Sequence, residues 1–411
     1  MYLYTGLTEL LPLNAVYALL MTSHGVSTEE LSVLFAVWTI TTFVCEVPSG
    51  ALADRFPRHR VLAAAALAQC TGFALWTALP SLGSFAAGFV LWGAGTALTS
   101  GTLQSLLYDG LAAEGRAGQY ARISSRMAAV QACSLAASSL AATPLVLLGG
   151  YPATGWVSVL FTLLAVPTAL GLGRRTPGPV PDPEPVPEPE PKPGPHGYLT
   201  VLRAGLAEAR DTPRVRSAVL LVAALTGLGV VDEYLPLLAR EAGTPAAAVP
   251  LLLLLPWAAM AAGGFAGGRM AGADDRLLAV LLGAGGAALA AGALTGRPAG
   301  FLGIAAFYWV LRLAQIVAGT RLQHAISGPA RATVTSVAGL GAQAVALGVF
   351  LTLGLAARWA SAAVLVALTA VPVLLLAVRL ALRPDAAHDV PPPRSDEPPP
   401  PARADAVERP S

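Results

Sequence analysis

A stretch of about 20 mostly apolar residues is the shortest helix that crosses the hydrocarbon core of a bilayer. This chain carries twelve such stretches, at 4–23, 31–53, 61–79, 83–108, 124–148, 154–173, 215–238, 246–268, 276–295, 299–320, 333–356 and 360–382. Backbone N–H and C=O groups in hydrocarbon must be paired within the segment, which makes each run a helix. The expected fold is an all-α polytopic membrane protein with twelve transmembrane helices. Composition agrees, because 55% hydrophobic and 12% charged residues are far from soluble usage.

Between the sixth and seventh runs, residues 174–197 alternate proline with acids, a pattern that favours extended polyproline II and buries no core. Residues 198–214 read as a short amphipathic piece at the membrane surface, and 384–411 as a disordered Pro-rich tail. The expected organisation is thus a six-helix bundle over 1–173, a linker over 174–197, a second bundle with its amphipathic lead-in over 198–383, and the tail. The first run has no basic leading segment and contains Glu9 and Asn14, so no cleavable signal peptide is expected. A net charge of +2 gives no concentrated basic face for nucleic acid. Cys45, Cys70 and Cys133 lie inside apolar runs and imply no disulfide framework.

Arginines fix the expected orientation, since loops retained in the cytoplasm hold the excess of cations. If Arg55, Arg58 and Arg60 are cytoplasmic, so are Arg116 and Arg122, the linker region with Arg174, Arg175, Lys192, Arg203, Arg210, Arg214 and Arg216, then Arg269 and Arg276, then Arg321 and Arg331. The other loops hold Arg240, Arg297 and Arg358. Both termini are therefore expected inside, in a cell (inner or plasma) membrane. The halves also echo each other: Tyr17, Gly25 and Trp38 recur as Tyr234, Gly243 and Trp257, and Gly50…Arg55 as Gly264…Arg269, at offsets of 214 to 219 residues. Two pseudo-symmetric six-helix bundles follow, an architecture that places a binding site between the halves.

The turn after the second run reads Gly50-Ala-Leu-Ala-Asp54-Arg55-Phe-Pro57-Arg58-His59-Arg60. With Glu46-Val-Pro48-Ser, Ser100-Gly101-Thr102, Tyr108-Asp109 and Arg331-Ala-Thr333, it resembles an uncharacterised-permease branch of the major facilitator superfamily, whose helix 2/3 signature is G-x-L-A-D-R-x-G-R-[RK]-x. Pro57 stands where that signature has glycine and His59 where it has Arg or Lys, which implies a stiffer turn. The resemblance implies a gate made of Gly50, Asp54, Arg55, Arg58, Asp109 and Arg331, with the Asp54 carboxylate at the positive N-terminal end of the helix that begins at Arg331. It also implies that helices 1, 4, 7 and 10 line a central cavity. The fourth run lacks the arginine, and the fifth the Gly-Pro step, that mark many drug/proton antiporters of the superfamily.

Ionisable groups inside a membrane are costly and point to function. Candidates for the substrate or proton pathway are Glu9, Asn14, Glu46, Gln104, Asp232, Glu233, Arg312 and Gln315, whereas runs 3, 6, 9 and 12 are nearly free of polar groups in their middles. At 1.5 Å per residue, Glu9, Glu46 and Arg312 lie about 12 Å from the Arg-rich boundary, a depth that suggests one cluster of two acids and a cation. Asp232 and Glu233 lie nearer the opposite boundary, and neighbours on a helix point about 100° apart. Tyr4, Tyr308 and Trp309 are candidates to stack on an aromatic or cationic substrate or to anchor the helices at the interface. The five histidines have no metal-ligand spacing, and no P-loop, GxSxG or HExxH pattern occurs.

The expected function is therefore not enzymatic. It is secondary active transport of a small molecule by alternating access, coupled to protons and directed to efflux of an amphipathic or drug-like compound. No cofactor is expected, the partners are substrate, protons and lipid, and the assembly is a monomer. The alternatives are uptake or uniport of a small polar metabolite and, in a different class, a non-transporting scaffold or sensor.

Overall fold

A computed structural model describes residues 1–173, 207, 210–326 and 331–382, apart from the side chains at 47, 51, 54, 117, 121 and 332. The expected linker, most of the amphipathic piece and the tail lie outside the described residues. Among those described there is no strand. The helices are α1 (Tyr2–Glu9), α2 (Tyr17–Ser23), α3 (Thr28–Arg55), α4 (Arg58–Ala78), α5 (Leu82–Ala113), α6 (Tyr120–Leu172), α7 (Pro213–Gly227), α8 (Leu235–Glu241), α9 (Val249–Arg269), α10 (Asp275–Leu294), α11 (Phe301–Ala325), α12 (Arg331–Ala356), α13 (Ala362–Leu368) and α14 (Ala370–Ala381). Among the described residues, ten helical stretches are long and apolar enough to cross a membrane. One of them is α6, in which Gly149 and Gly150 (φ +65°) leave the helical region and divide it in two. With the interrupted stretch α1–α2, the set is consistent with twelve crossings.

Two expected crossings are interrupted in their interior by a 3₁₀ segment. The first stops at Glu9, passes through a 3₁₀ turn over Pro12–Ala15 and resumes at Tyr17. Pro12 lacks an N–H and pushes the residue before it out of the α region, and Leu11 accordingly has ψ +84°. The seventh is α7, a 3₁₀ segment over Leu228–Tyr234, and then α8. Pro236 lies in the first turn of α8, where its missing N–H costs nothing, and Gly227 precedes the change of pitch while Gly229 lies within the 3₁₀ segment. Non-helical backbone at this depth is tolerated where it is packed in protein or lines a cavity.

Local signals explain the other boundaries. Ser27 Oγ accepts from Glu30 N–H at 3.2 Å and Glu30 Oε2 accepts from Ser27 N–H at 2.8 Å, a capping box that starts α3. At its other end Phe56 is extended, as a residue before proline should be, and Pro57 opens α4 directly. The stiff turn is thus two residues long. Gly25 and Gly243, paired in the sequence repeat, both take left-handed φ (+86° and +84°) just past α2 and α8. A side chain is disfavoured at both, which ties the repeat to matching geometry in the two halves.

Within each half, small residues let helix backbones meet. A Cβ on Gly263 of α9 would lie 2.2 Å from the Trp309 carbonyl oxygen of α11. Between halves, contact gathers at the Arg-poor end: α3 packs on α12, Phe35 meets Phe350 and Tyr234, Ser32 lies beneath Gly354, and Arg358 donates to Glu29 in an ion pair. Glu29 also raises the pKa of Arg358, by its hydrogen bond first and its charge second. Toward the Arg-rich end, Gly50 and Gly101 border a cavity within the first bundle, and a Cβ on Gly268 or Gly339 would meet no heavy atom within 4 Å. The described hydrogen bonds, ion pair and ring contacts between the halves thus lie at the Arg-poor end.

Candidate functional site

Where the two interrupted crossings face each other, the Tyr17 hydroxyl donates to the Glu233 carboxylate. The bond joins residues 216 positions apart and spans the two halves. One residue on, the Tyr234 hydroxyl and Ser32 Oγ are 2.7 Å apart, again across the halves, with both residues buried. The 3₁₀ pitch of 228–234 presents three consecutive polar side chains here. Asp232 precedes Glu233 on the same 3₁₀ segment and is half-buried. Tyr308 in turn donates to the Gly229 carbonyl at 3.3 Å, and Gln315 Nε2 to the Leu225 carbonyl at 3.1 Å, satisfying backbone that the change of pitch frees. No described Arg, Lys or His forms an ion pair with Asp232 or Glu233.

Tyr17 is held by aromatic rings. Phe35, Trp76, Phe89 and Trp92 lie with ring centroids 5.7–6.1 Å from it, three of them edge to face. Trp38 sits 5.5 Å from Trp92, and both are half-buried. Among the described residues, the buried Trp38 Nε1–H has no hydrogen-bond partner. This aromatic wall was not expected as part of the site from the sequence; its only signal was Trp38 in the repeat. Tyr4, by contrast, is neither a stacking residue nor an interface anchor: it is buried in the first bundle and its hydroxyl donates to the Leu62 carbonyl at 3.2 Å. Trp309 is half-buried beside Gly263.

Glu9, Glu46 and Arg312 do not form the ion-paired cluster that their depth suggested. Gln131 Nε2 donates to Glu9 Oε1 at 2.6 Å, Ser100 Oγ to Glu46 Oε1 at 3.3 Å, and Arg312 Nη1 to Gln315 Oε1 at 3.2 Å. The two acids belong to the first bundle and the cation to the second, and each takes a polar partner within its own bundle. Glu46 and Arg312 are exposed, Glu9 and Asn14 half-buried, and Gln104 exposed.

In the gate segment, Arg58 and Asp109 form an ion pair that fastens the start of α4 to α5. Glu46, Ser49, Gly50, Ala53, Arg58 and Ser105 line a cavity of about 200 Å³ between α3 and α5. Arg55 and Arg331 are exposed, and the side chain of Asp54 lies outside the described residues. His59 packs against the end of α6, where a Cβ on Gly173 would come within 2.6 Å of its ring.

Two helical bundles that meet at one end, around a carboxyl carried by one interrupted crossing and a phenol carried by the other, fit a multi-pass membrane transporter. The chain belongs to the Major Facilitator Superfamily, whose sequence model matches residues 2–358. No functionally curated protein matches it at a significant level. Among solved structures it is similar to a bacterial homolog of the human lysosomal transporter Spinster in an inward-facing, unoccupied conformation (TM-score 0.69, 16% identity, covering 92% of this chain and 93% of that one). It is also similar to the POT family transporter PepTSo (TM-score 0.69, 15% identity, 93% and 96%) and to the nucleoside transporter NupG (TM-score 0.68, 11% identity, 92% and 96%). At these identities the likeness is one of fold.

Proposed function

We propose that the protein is a proton-coupled secondary transporter in which Glu233 is the proton site and the Tyr17–Glu233 hydrogen bond holds the Arg-poor end shut. The observation that carries this reading is a carboxyl at the junction of the halves with a phenol for a partner and no described cation paired to it. A lone carboxylate in a low-dielectric site is costly, and two species relieve the cost: a proton or a cationic substrate. A site that holds one or the other exchanges them. With Asp232 alongside and an aromatic wall adjacent, the substrates favoured are amphipathic cations, which agrees with efflux of a drug-like compound.

Charge-assisted hydrogen bonds are roughly twice as strong as neutral ones, so protonation of Glu233 weakens the bolt and releases the Arg-poor end. When that end opens, the Arg-rich ends close; Glu9 and Glu46 then approach Arg312, and Asp54 approaches the helix that begins at Arg331. Placing the Arg-rich face and both termini in the cytoplasm of a plasma or inner membrane follows from the distribution of cations.

The test is substrate-dependent proton movement in proteoliposomes. Wild-type protein should move protons when a lipophilic cation is supplied on one side, and Glu233→Gln should bind the cation more weakly and move no protons. Proton flux in Glu233→Gln equal to wild type would remove Glu233 from the coupling step.

A further inference from the structure

Arg312 lies in the interior of a crossing, and among the described residues no Asp or Glu forms an ion pair with it. A cation at that depth is costly, so the direction it faces decides its use.

The packing of α11 fixes that direction. Val310, two residues earlier and about 160° round the helix, meets α10, where a Cβ on Gly285 would lie 3.2 Å from the Val310 Cβ. On one flank, Trp309 and Ile316 close on Gly263 and Gly267 of α9. On the other, Tyr308 donates to the Gly229 carbonyl and Gln315 to the Leu225 carbonyl. Arg312 is left on the face between these two neighbours, away from α10, and it is exposed there. Both neighbours reach the N-terminal bundle: the stretch after α7 through Glu233 and Tyr234, and α9 through its packing on α6. That face of α11 therefore looks into the space between the halves.

The guanidinium is also held in position. Gln315 Nε2 is engaged by the Leu225 carbonyl, while its Oε1 accepts from Arg312 Nη1 at 3.2 Å. The remaining N–H donors of the planar fork have no partner among the described residues. Leu311 and Gln315 each come 3.7 Å from where a Cβ on Gly229 would be, which sets Arg312 level with Gly229. Glu233 is four residues further along the 3₁₀ segment. By the rise of that helix it stands about 8 Å nearer the Arg-poor end.

From this arrangement we infer that Arg312 binds a carboxylate of the substrate, so that the transported compound is amphoteric. Its cationic end lies at Glu233 and its carboxylate about 8 Å along the crossing, at Arg312. The guanidinium fork matches a carboxylate through two parallel hydrogen bonds, and the carboxylate compensates the buried-depth cation in return. The inference rests on the Glu233 reading for the cationic end alone. It narrows the substrate from amphipathic cations to those that also carry an acid.

The test is equilibrium binding of two fluorescent ligands to the full-length protein in detergent: a rhodamine methyl ester, which is a cation, and its free acid, which differs by one carboxylate. Wild-type protein should bind the free acid more tightly by about tenfold, the effect of a hydrogen bond to a charged group. Arg312→Gln should abolish that preference. Gln315→Leu, which keeps the charge but unfastens the guanidinium, should reduce it. Equal affinities in the wild type overturn the inference. So does a preference that survives undiminished in Arg312→Gln or, should that variant fail to fold, in Gln315→Leu. A preference abolished when chloride replaces gluconate in the buffer would mark a site for an inorganic anion, and overturns it as well. Glu233→Gln should weaken both ligands alike and leave the preference in place. Failure of the Glu233 reading would therefore appear as unaltered affinities in Glu233→Gln, apart from the preference that tests Arg312.

Discussion

The Tyr17 hydroxyl of the first crossing donates to the Glu233 carboxylate of the seventh, and that single bond bridges the two halves of the protein. Both residues sit beside backbone that has left α-helical geometry. Tyr17→Phe keeps the aromatic packing and removes only the donor. A hydrogen bond to a charged group contributes about 1.5–3 kcal/mol, so the population closed at the Arg-poor end should fall by about tenfold or more. Accessibility of a cysteine introduced at Leu20, which is buried at that end, reports the change.

Tyr234→Phe and Ser32→Ala remove the neighbouring bridge, which is neutral and fully buried. Each should shift the same equilibrium by about 1 kcal/mol, and the double variant by no more than either alone, because both delete one bond. A double-mutant cycle on the same accessibility signal measures this. Full additivity would show that the two residues act separately.

Arg58 and Asp109 are partly exposed, with side-chain accessibilities of 27% and 54%. Their coupling should therefore be small, about 0.2–1 kcal/mol, and should fade at high salt. Thermal unfolding of Arg58→Ala, Asp109→Ala and the double variant at two ionic strengths checks it. A large coupling that ignores salt would show that the pair is shielded from water.

Close backbone contact makes Gly263 intolerant of any side chain. Gly263→Val drives Cβ toward the Trp309 carbonyl oxygen, 2.2 Å away, and should cost about 1–3 kcal/mol of stability. Gly268→Ala on the same helix meets nothing within 4 Å and should be silent. Melting temperatures in one detergent compare the two directly.

How much of this was legible in the sequence differs by feature. The helical class and the approximate spans were, because hydrocarbon leaves the backbone no other way to satisfy itself. The repeat was visible in Gly25 and Gly243 because left-handed backbone demands a particular residue. The interruptions at Pro12–Ala15 and Leu228–Tyr234 were hidden: an apolar count reads through them, although Pro12 and Pro236 mark both. The Tyr17–Glu233 bond was not legible at all, since nothing local pairs residues so far apart. Depth counting placed Glu9, Glu46 and Arg312 at one level but carries no information on the distance between halves, and that distance decides whether they pair.

In the proposed mechanism the charge on Glu233 sets which end of the protein is closed. The direct measurement is the pH dependence of the distance between spin labels on Leu52 and Ser336, exposed positions on opposite halves near the Arg-rich end. The labels go into protein whose Cys45, Cys70 and Cys133 have been replaced. A charged Glu233 strengthens the bolt at the far end, so the predicted distance is long at high pH and shortens as acid protonates the carboxyl. In Glu233→Gln the distance should be independent of pH. A pH response in Glu233→Gln that matches the wild type would contradict the account.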